Sequence, residues 1–389
     1  MRVLLLHNRY RALGGEERTV ADIAALLERR GHEVRVLERS SAAVSRASVA
    51  RALLSGGVAA DEITDAVTAM AADVVHAHNL HPLFGWRALA AARAAGVRTV
   101  VHLHNFRLFC AIAVAYRDGE PCFRCRGRNT LPGLRLRCRG SLPEAAVYAA
   151  ALSRQQPHLF EHADRFVVVS AAHGARLREL GLPGDRAVTL PNFVPADRFA
   201  PSSRAGEGGY ALVSGRLVEE KGFDTAIRAA RSAGVPLRIA GEGPDEPRLR
   251  ALAAGGDVRF CGLLAPETLA DVRRGAAVVL APSRCEEACP YSVLDSMAVG
   301  VPVLASDRGG LPELGEDGAA LPAEDGEAWA AALGDLWRDR DARQQLGERA
   351  LERARERLGE EGYYERLIGV YEAVTVAPRP PGAQPSAGR

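Results

Sequence analysis

The chain has 389 residues, 47% of them hydrophobic and 25% charged, with a formal net charge of +2. This composition fits a soluble globular chain of about two domains and excludes a mainly disordered chain, a collagen-like repeat and a disulfide scaffold. No run of about 18 apolar residues occurs, and the apolar start at Met1–His7 is too short for a secretory signal, so a cytoplasmic protein without a transmembrane helix is expected.

The charge is unevenly spread. Residues 1–195 hold 26 basic and 17 acidic side chains, a net of +9, whereas residues 196–389 hold 24 and 31, a net of −7. Either this is uneven surface decoration or the first half suits an anionic partner, including peripheral contact at the inner membrane face. Of the 50 basic residues, 49 are Arg and one, Lys221, is Lys. A single Lys surviving such a bias singles out its position.

In chain order the pattern is strand, loop, helix, repeated. Val3–Leu6 is a first strand, followed by Gly14 and Gly15. A helix then carries Val20, Ile23, Ala24 and Leu27 on one face and stops at Gly31. Val34–Leu37, Val74–Ala77, Val97–Leu103, Phe166–Val169 and Val188–Leu190 continue the series. Residues 198–209 have linker composition, after which Ala211–Ser214, Leu237–Ala240, Val258–Cys261, Val278–Ala281 and Val301–Ala305 form a second series. Such alternation predicts two α/β units, each a parallel sheet covered on both faces: residues 1–197 and 210–358. Helices dominate from 325 onward. The last, over 359–374, carries Tyr363, Leu367, Val370, Tyr371 and Val374 on one face, and 375–389 reads as a disordered tail.

Ligands of open parallel sheets bind beyond the carboxyl ends of the strands, so the loops there matter most. Gly14 and Gly15 precede a helix whose free N–H groups suit an anion, although a simple turn is the commoner reason for such a pair. They do not form GxGxxG, so no nicotinamide cofactor is indicated. His104 stands at a strand end, on the same face as His102, where a ring nitrogen can serve a sugar hydroxyl or a phosphate, although a lone His in such a place is more often structural. The second unit opens with Arg216 and Lys221 around a helix start, two cations suited to a diphosphate. The stretch Pro282–Val303 places Glu287 in the loop before a helix and Asp295 one turn inside it, two carboxylates able to accept from several hydroxyls of one ligand.

That stretch resembles the signature of the retaining glycosyltransferases of family 4, with a Pro-Ser, a carboxylate pair eight positions apart and a closing Met-Ala-x-Gly-x-Pro-Val. Here the pair is Glu287 and Asp295, where the family usually has a second Glu. The resemblance extends through Gly14-Gly15, Leu103–Arg107, Pro191-Asn192, Gly215-Arg216 with Lys221, Gly241–Pro244 and Gly309–Glu313. It implies a GT-B fold, two Rossmann-like domains facing a central cleft. The second domain would hold a nucleotide-sugar donor and the first an acceptor, which could be a glycan, a lipid-linked sugar or a small molecule. The helix over 359–374 would cross back to the first domain. The resemblance further implies that Arg216 and Lys221 bind the donor diphosphate and that Glu287 binds sugar hydroxyls. Asp295 would bind the ribose, His104 would face the transferred sugar, and the amides near Tyr291 and Ser292 would face the phosphates. Transfer would retain the anomeric configuration and use no catalytic divalent metal. A nucleotide-sugar epimerase of the same fold and a non-catalytic sugar-nucleotide-binding protein are the rival readings.

The first unit also carries Cys110, Cys122, Cys125 and Cys138 within the loop 110–138, spaced C-x11-C-x2-C-x12-C. A structural zinc site, reduced thiols and a disulfide or redox use all remain open; the Cys-x2-Cys favours metal. Six Arg share this loop, but aromatics are sparse and no finger helix with His ligands follows, so nucleic acid is not expected.

Overall fold

The computed structural model describes residues 1–9, 14–315 and 320–376. Most of the tail expected at 375–389 therefore lies outside the described residues. The strands are β1 (Arg2–Arg9), β2 (Glu33–Ser40), β3 (Val74–Ala77), β4 (Arg98–Leu103), β5 (Tyr116–Arg117), β6 (Glu120–Pro121), β7 (Arg165–Val168), β8 (Ala187–Thr189), β9 (Ala211–Ser214), β10 (Leu237–Ala240), β11 (Val258–Gly262), β12 (Val278–Ala281), β13 (Val303–Ser306) and β14 (Ala320–Leu321). They form two six-stranded parallel sheets, ordered β2-β1-β3-β4-β7-β8 and β11-β10-β9-β12-β13-β14, while β5 and β6 make a separate antiparallel hairpin. The eleven strands expected from the apolar runs all form, to within a few residues at their ends. The missing ones, β5, β6 and β14, have two residues each, too short to imprint a period on the sequence.

The inner strands of each sheet are buried on both sides, which is why β3 and β12 read as continuous apolar runs, whereas the edge strands β2, β8 and β11 are partly exposed. In β1, Leu4 and Leu6 join one core with Phe84, Val101 and Phe166. Val3 and Leu5 join another with Ile23 and the terminal helix Glu360–Val376. That helix buries Tyr363, Leu367, Val370, Tyr371 and Val374 against the first sheet, although it follows the helix Arg340–Leu358 that packs on the second domain. The two domains are thereby tied together at a second place besides the segment 198–209. That segment itself is anchored: Ser203 Oγ donates to the Gly300 carbonyl at 2.6 Å and Ala205 is fully buried.

Both sheets reverse direction next to their first strand, between β1 and β3 and between β9 and β12. A crevice opens where the chain leaves two adjacent strands in opposite directions, and a ligand site is expected beyond their carboxyl ends. The loops after β9 and β12 are those carrying Arg216, Lys221 and Glu287.

Candidate active site

The loop after β9 is short and forced. A 3-10 turn, Glu219–Lys221, leads into Gly222, which has φ +68 and opens the helix Phe223–Ala233. A Cβ at Gly222 would stand 1.9 Å from the Pro282 carbonyl oxygen, so only glycine lets this turn pass the loop after β12. The close approach aims Lys221 across the crevice, where its ammonium donates to Glu287 Oε1. Glu287 also accepts from Ser283 Oγ at 2.7 Å. Its backbone carbonyl takes the Gly310 N–H at 2.7 Å. Gly309, with φ +59, would bring a Cβ to 2.4 Å from the same carbonyl oxygen.

Burial opposes the charges on both partners. For Lys221 the adjacent Glu287 carboxylate more than offsets burial and raises its pKa. For Glu287, Lys221 and the Ser283 hydroxyl overcome burial and hold its carboxyl below the ordinary value. Arg216 is the more exposed cation; its guanidinium lies 3.3 Å from Glu220 and its charge reaches both members of the pair. Arg284, next to Ser283, pairs with Asp224 at 2.8 Å and ties the two loops together a second time.

The helix Tyr291–Ala298 meets the first domain directly. A Cβ on Gly15 would lie 3.2 Å from the Tyr291 ring, so the Gly14-Gly15 helix start faces the start of this helix. Thr19 Oγ1 and Tyr291 Oη are 3.0 Å apart, and Arg18 lies 4.0 Å over the Tyr291 ring. Arg18 then donates through both terminal nitrogens to the two oxygens of Asp295, each at 2.7 Å. Burial works against the Arg18 charge, but Asp295 outweighs it and raises its pKa. Buried Arg273 stands 3.5 Å from the same carboxylate. Asp295, expected at the ribose, thus has both oxygens engaged by the opposite domain. Ser292 follows Tyr291 in the first turn, and its carbonyl accepts from Ser296 Oγ at 2.6 Å.

His104 belongs to a file of imidazoles at the mouth of the first sheet. His78 Nδ1 and His104 Nε2 are 3.0 Å apart, His102 stacks on His104 at 4.2 Å between centroids, and His76 Nδ1 meets Tyr371 Oη at 2.7 Å. Burial depresses all four, His76 to about 3, so the rings are neutral at pH 7. Among the described residues, one nitrogen each of His76, His78 and His102 lie within 4.8 Å of one another. Their rings stack, however, with His76 and His102 inclined by 9° and His78 and His102 by 29°. In-plane lone pairs of stacked rings run side by side and do not converge on one ion.

The sequence pointed to Arg216, Lys221 and Glu287, which the structure brings together. Gly15, with Gly14 beside it, Tyr291 and Asp295 lie along the domain interface, whereas His104 sits among the imidazoles of the first domain. Arg18, Arg273 and His78 were missed. Only His78 left a signal: two His-x-His pairs, 76/78 and 102/104, on strands that prove adjacent. Two further contacts across the domains, Arg176 to Glu286 at 2.6 Å and the Glu313 carboxylate capping the Ala171 and Ala172 amides at 2.9 and 2.6 Å, had none.

Two parallel-sheet domains whose switch-point loops converge on one cleft define the GT-B class of proteins. Two family models match in tandem: Glycosyltransferase Family 4 over residues 13–198 and Glycosyl transferases group 1 over residues 209–339. A D-inositol 3-phosphate glycosyltransferase of Acidothermus cellulolyticus is 31% identical over 342 residues, covering 82% of this chain and 70% of its own. The chain belongs to these glycosyltransferase families. A D-inositol 3-phosphate glycosyltransferase of Nocardia farcinica is 33% identical over 229 residues, covering 51% of this chain and 50% of its own. Of the three curated relatives it matches first, the chain spans 58%, 21% and 50% of the length. In fold it is similar to Anabaena HepE, solved in complex with UDP-glucose, with a TM-score of 0.67 and 16% identity over 96% of this chain and all of that one. No described helix is long and apolar enough to cross a membrane.

Proposed function

We propose that the chain transfers a hexose from a nucleotide-sugar donor to an acceptor hydroxyl, with retention of configuration and without a catalytic divalent metal. The observation that carries this reading is the Lys221–Glu287 pair, with Arg216 beside it, in the crevice between β9 and β12. Lys221 and Arg216 supply the positive charge that a departing diphosphate needs, and preorganised charge of this kind stabilises the transition state most. Glu287, kept ionised by Lys221, accepts from donor-sugar hydroxyls. The Gly14-Gly15 helix start and the amides of Tyr291 and Ser292 face the phosphates. As the sugar–phosphate bond breaks, the acceptor oxygen attacks from the same face, and its proton passes to the leaving phosphate oxygen. His104, neutral and held by His78, serves the sugar as a hydrogen-bond partner.

The acceptor belongs on the first domain, where a strongly basic surface favours an anionic molecule. Arg124, Arg126, Arg128, Arg135 and Arg137 are exposed, and none forms an ion pair among the described residues. The related enzymes named above act, by their names, on an inositol phosphate, which is such an acceptor. A phosphate-bearing small molecule or lipid-linked sugar is therefore the class to try first.

A panel of nucleotide sugars screened by thermal shift tests the donor, because a ligand bound only to the folded state raises its stability. The stabilising donor is then supplied with phosphorylated acceptors, and the linkage formed is read by NMR. A new glycosidic bond of inverted configuration, or isomerised donor without acceptor, would refute the proposal.

A further inference from the structure

We propose that Cys110, Cys122, Cys125 and Cys138 form a structural zinc site that clasps the loop 110–138 against the cleft. The inference is independent of the donor chemistry. It rests first on convergence. The four cysteines lie on four different parts of the loop: the turn after β4, the exit of the β5–β6 hairpin, the following extended segment, and the turn beyond the short helix Leu131–Arg135. They nevertheless line one small cavity of about 20 Å³. All four are free thiols, and no disulfide joins any of them.

The second observation is how the backbone is bent around the sulfurs. The amides of Ile112, Ala113 and Ala115 lie close to the Cys110 thiol, and that of Gly133 to Cys125. A Cβ at Gly133 would stand 3.5 Å from Cys125 Sγ. Arg117 Nη1 is 3.8 Å from Cys138 Sγ. Ala113 and Ala115, in the turns that follow Cys110, and Arg137, next to Cys138, have φ of +69, +48 and +49. Non-glycine residues hold such angles only where the surroundings impose them. Burial of Ala113 and Ala115, whose carbonyls accept from the Phe106 and Cys122 amides, accounts for two of these angles, but a hairpin with two residues per strand and a helix of five residues cannot hold all four turns together. One tetrahedral ion joining all four turns can. The sulfurs ring the cavity more widely than the histidine nitrogens described above, so zinc would draw the loop inward. Binding releases the thiol protons to solvent, and no electron is transferred.

The clasp has a place in the fold. Its hairpin tip reaches the second domain, where a Cβ on Gly119 would come 3.9 Å from Glu219 Oε1, two residues before Lys221. Phe123, between two of the cysteines, lies 4.3 Å beneath the Arg176 guanidinium that pairs with Glu286. Zinc would therefore fix the rim of the cleft as well as the loop.

The test uses the full chain, grown with added zinc and purified without chelator. Elemental analysis should find about one zinc per chain, released by a mercurial thiol reagent. Apoprotein reconstituted with Co2+ should show the near-ultraviolet thiolate-to-cobalt band and the visible bands of a tetrahedral site. Cys125→Ser and Cys138→Ser should bind the ion at least tenfold more weakly, and Cys261→Ser should bind it as wild type does. A wild-type chain that takes up neither zinc nor cobalt, or in which mass spectrometry finds two of the four joined by a disulfide, would overturn the site. Because the cobalt titration uses the wild-type sequence, misfolding of a variant does not decide it. A nucleotide thermal shift in the same samples separates failure of the clasp from failure of the proposed donor site.

Discussion

At the scale of single residues, Lys221 carries the most. Lys221→Ala removes a charge placed where a diphosphate would leave, and loss of one such contact lowers turnover by about 10²–10³. Lys221→Arg keeps the charge but spreads it over a planar fork, so part of the rate should return. From position alone Lys221 is a crevice residue with little packing, but in the structure it is the main partner of a largely buried carboxylate. Lys221→Ala should therefore also lower Tm, by less than the roughly 3–5 kcal/mol of a fully buried broken pair. Adding Glu287→Gln should restore Tm without restoring activity, and equal melting of the single and double variants would remove the pair's role. Arg228→Ala is the control, since Arg228 is exposed and, among the described residues, pairs only with Asp224 on its own helix. The Glu287 carboxyl is depressed in the fold, so its contribution to stability is present above the ordinary carboxylate range and disappears as pH falls through the depressed value. Asp295 is the second residue at this scale. Its length fits the Arg18 fork, with both oxygens at 2.7 Å. Asp295→Glu should misalign that fork, lower Tm and leave donor affinity without gain. Arg18→Ala should free the carboxylate and strengthen donor binding if a ribose competes for it. A tenfold gain in affinity from Asp295→Glu, about 1.4 kcal/mol, would contradict this.

At the scale of elements, the loops after β9 and β12 work because two backbones pass within contact distance. Gly222 permits it, and Gly309 lets the loop after β13 pass the Glu287 backbone in the same way, each with a positive φ and no room for a Cβ. Gly222→Ala must push the Pro282 carbonyl away and rotate the turn that aims Lys221. Turnover should fall at least as far as in Lys221→Ala, with a lower Tm that Lys221→Ala in the same chain barely worsens. Gly234→Ala, at a helix end with the same sign of φ but open space around its Cβ, should show only the backbone strain, about 1 kcal/mol. Comparable losses in both would show that the close approach does not matter.

At the scale of the whole molecule, the first domain buries a column of neutral imidazoles. His76 and His81 are pushed down to about 3 and His173 to about 4 by burial, and His78, His102 and His104 lie well below the ordinary value. The unfolded chain takes up protons at these sites below pH 6.5 while the folded one does not. Stability must then fall as pH drops from about 6.5 toward 4, by up to about 1.4 kcal/mol per pH unit for each histidine. Urea denaturation midpoints at pH 7.5, 6, 5 and 4 measure the slope. A midpoint flat to pH 5 would mean that the imidazoles are protonated in the folded protein. Tyr371→Phe, which removes the partner of His76, should lower the midpoint at every pH, because it leaves a buried ring nitrogen unbonded.

The sequence by itself determined the two parallel sheets, because strands buried on both faces must be apolar at every position and leave unbroken runs such as Val74–Ala77 and Val278–Ala281. It also marked Arg216, Lys221 and Glu287, whose loops follow strands recognisable in that way. It could not show that Asp295 meets Arg18, since 277 residues separate them and Arg18 stands in no distinctive local pattern. Nor could it show that Glu287 is neutralised by Lys221, or that the two His-x-His pairs share one stack. These contacts depend on strand order and on how the domains close. Strand order is set by the packing of all the elements at once, whereas an apolar run reports only its own burial.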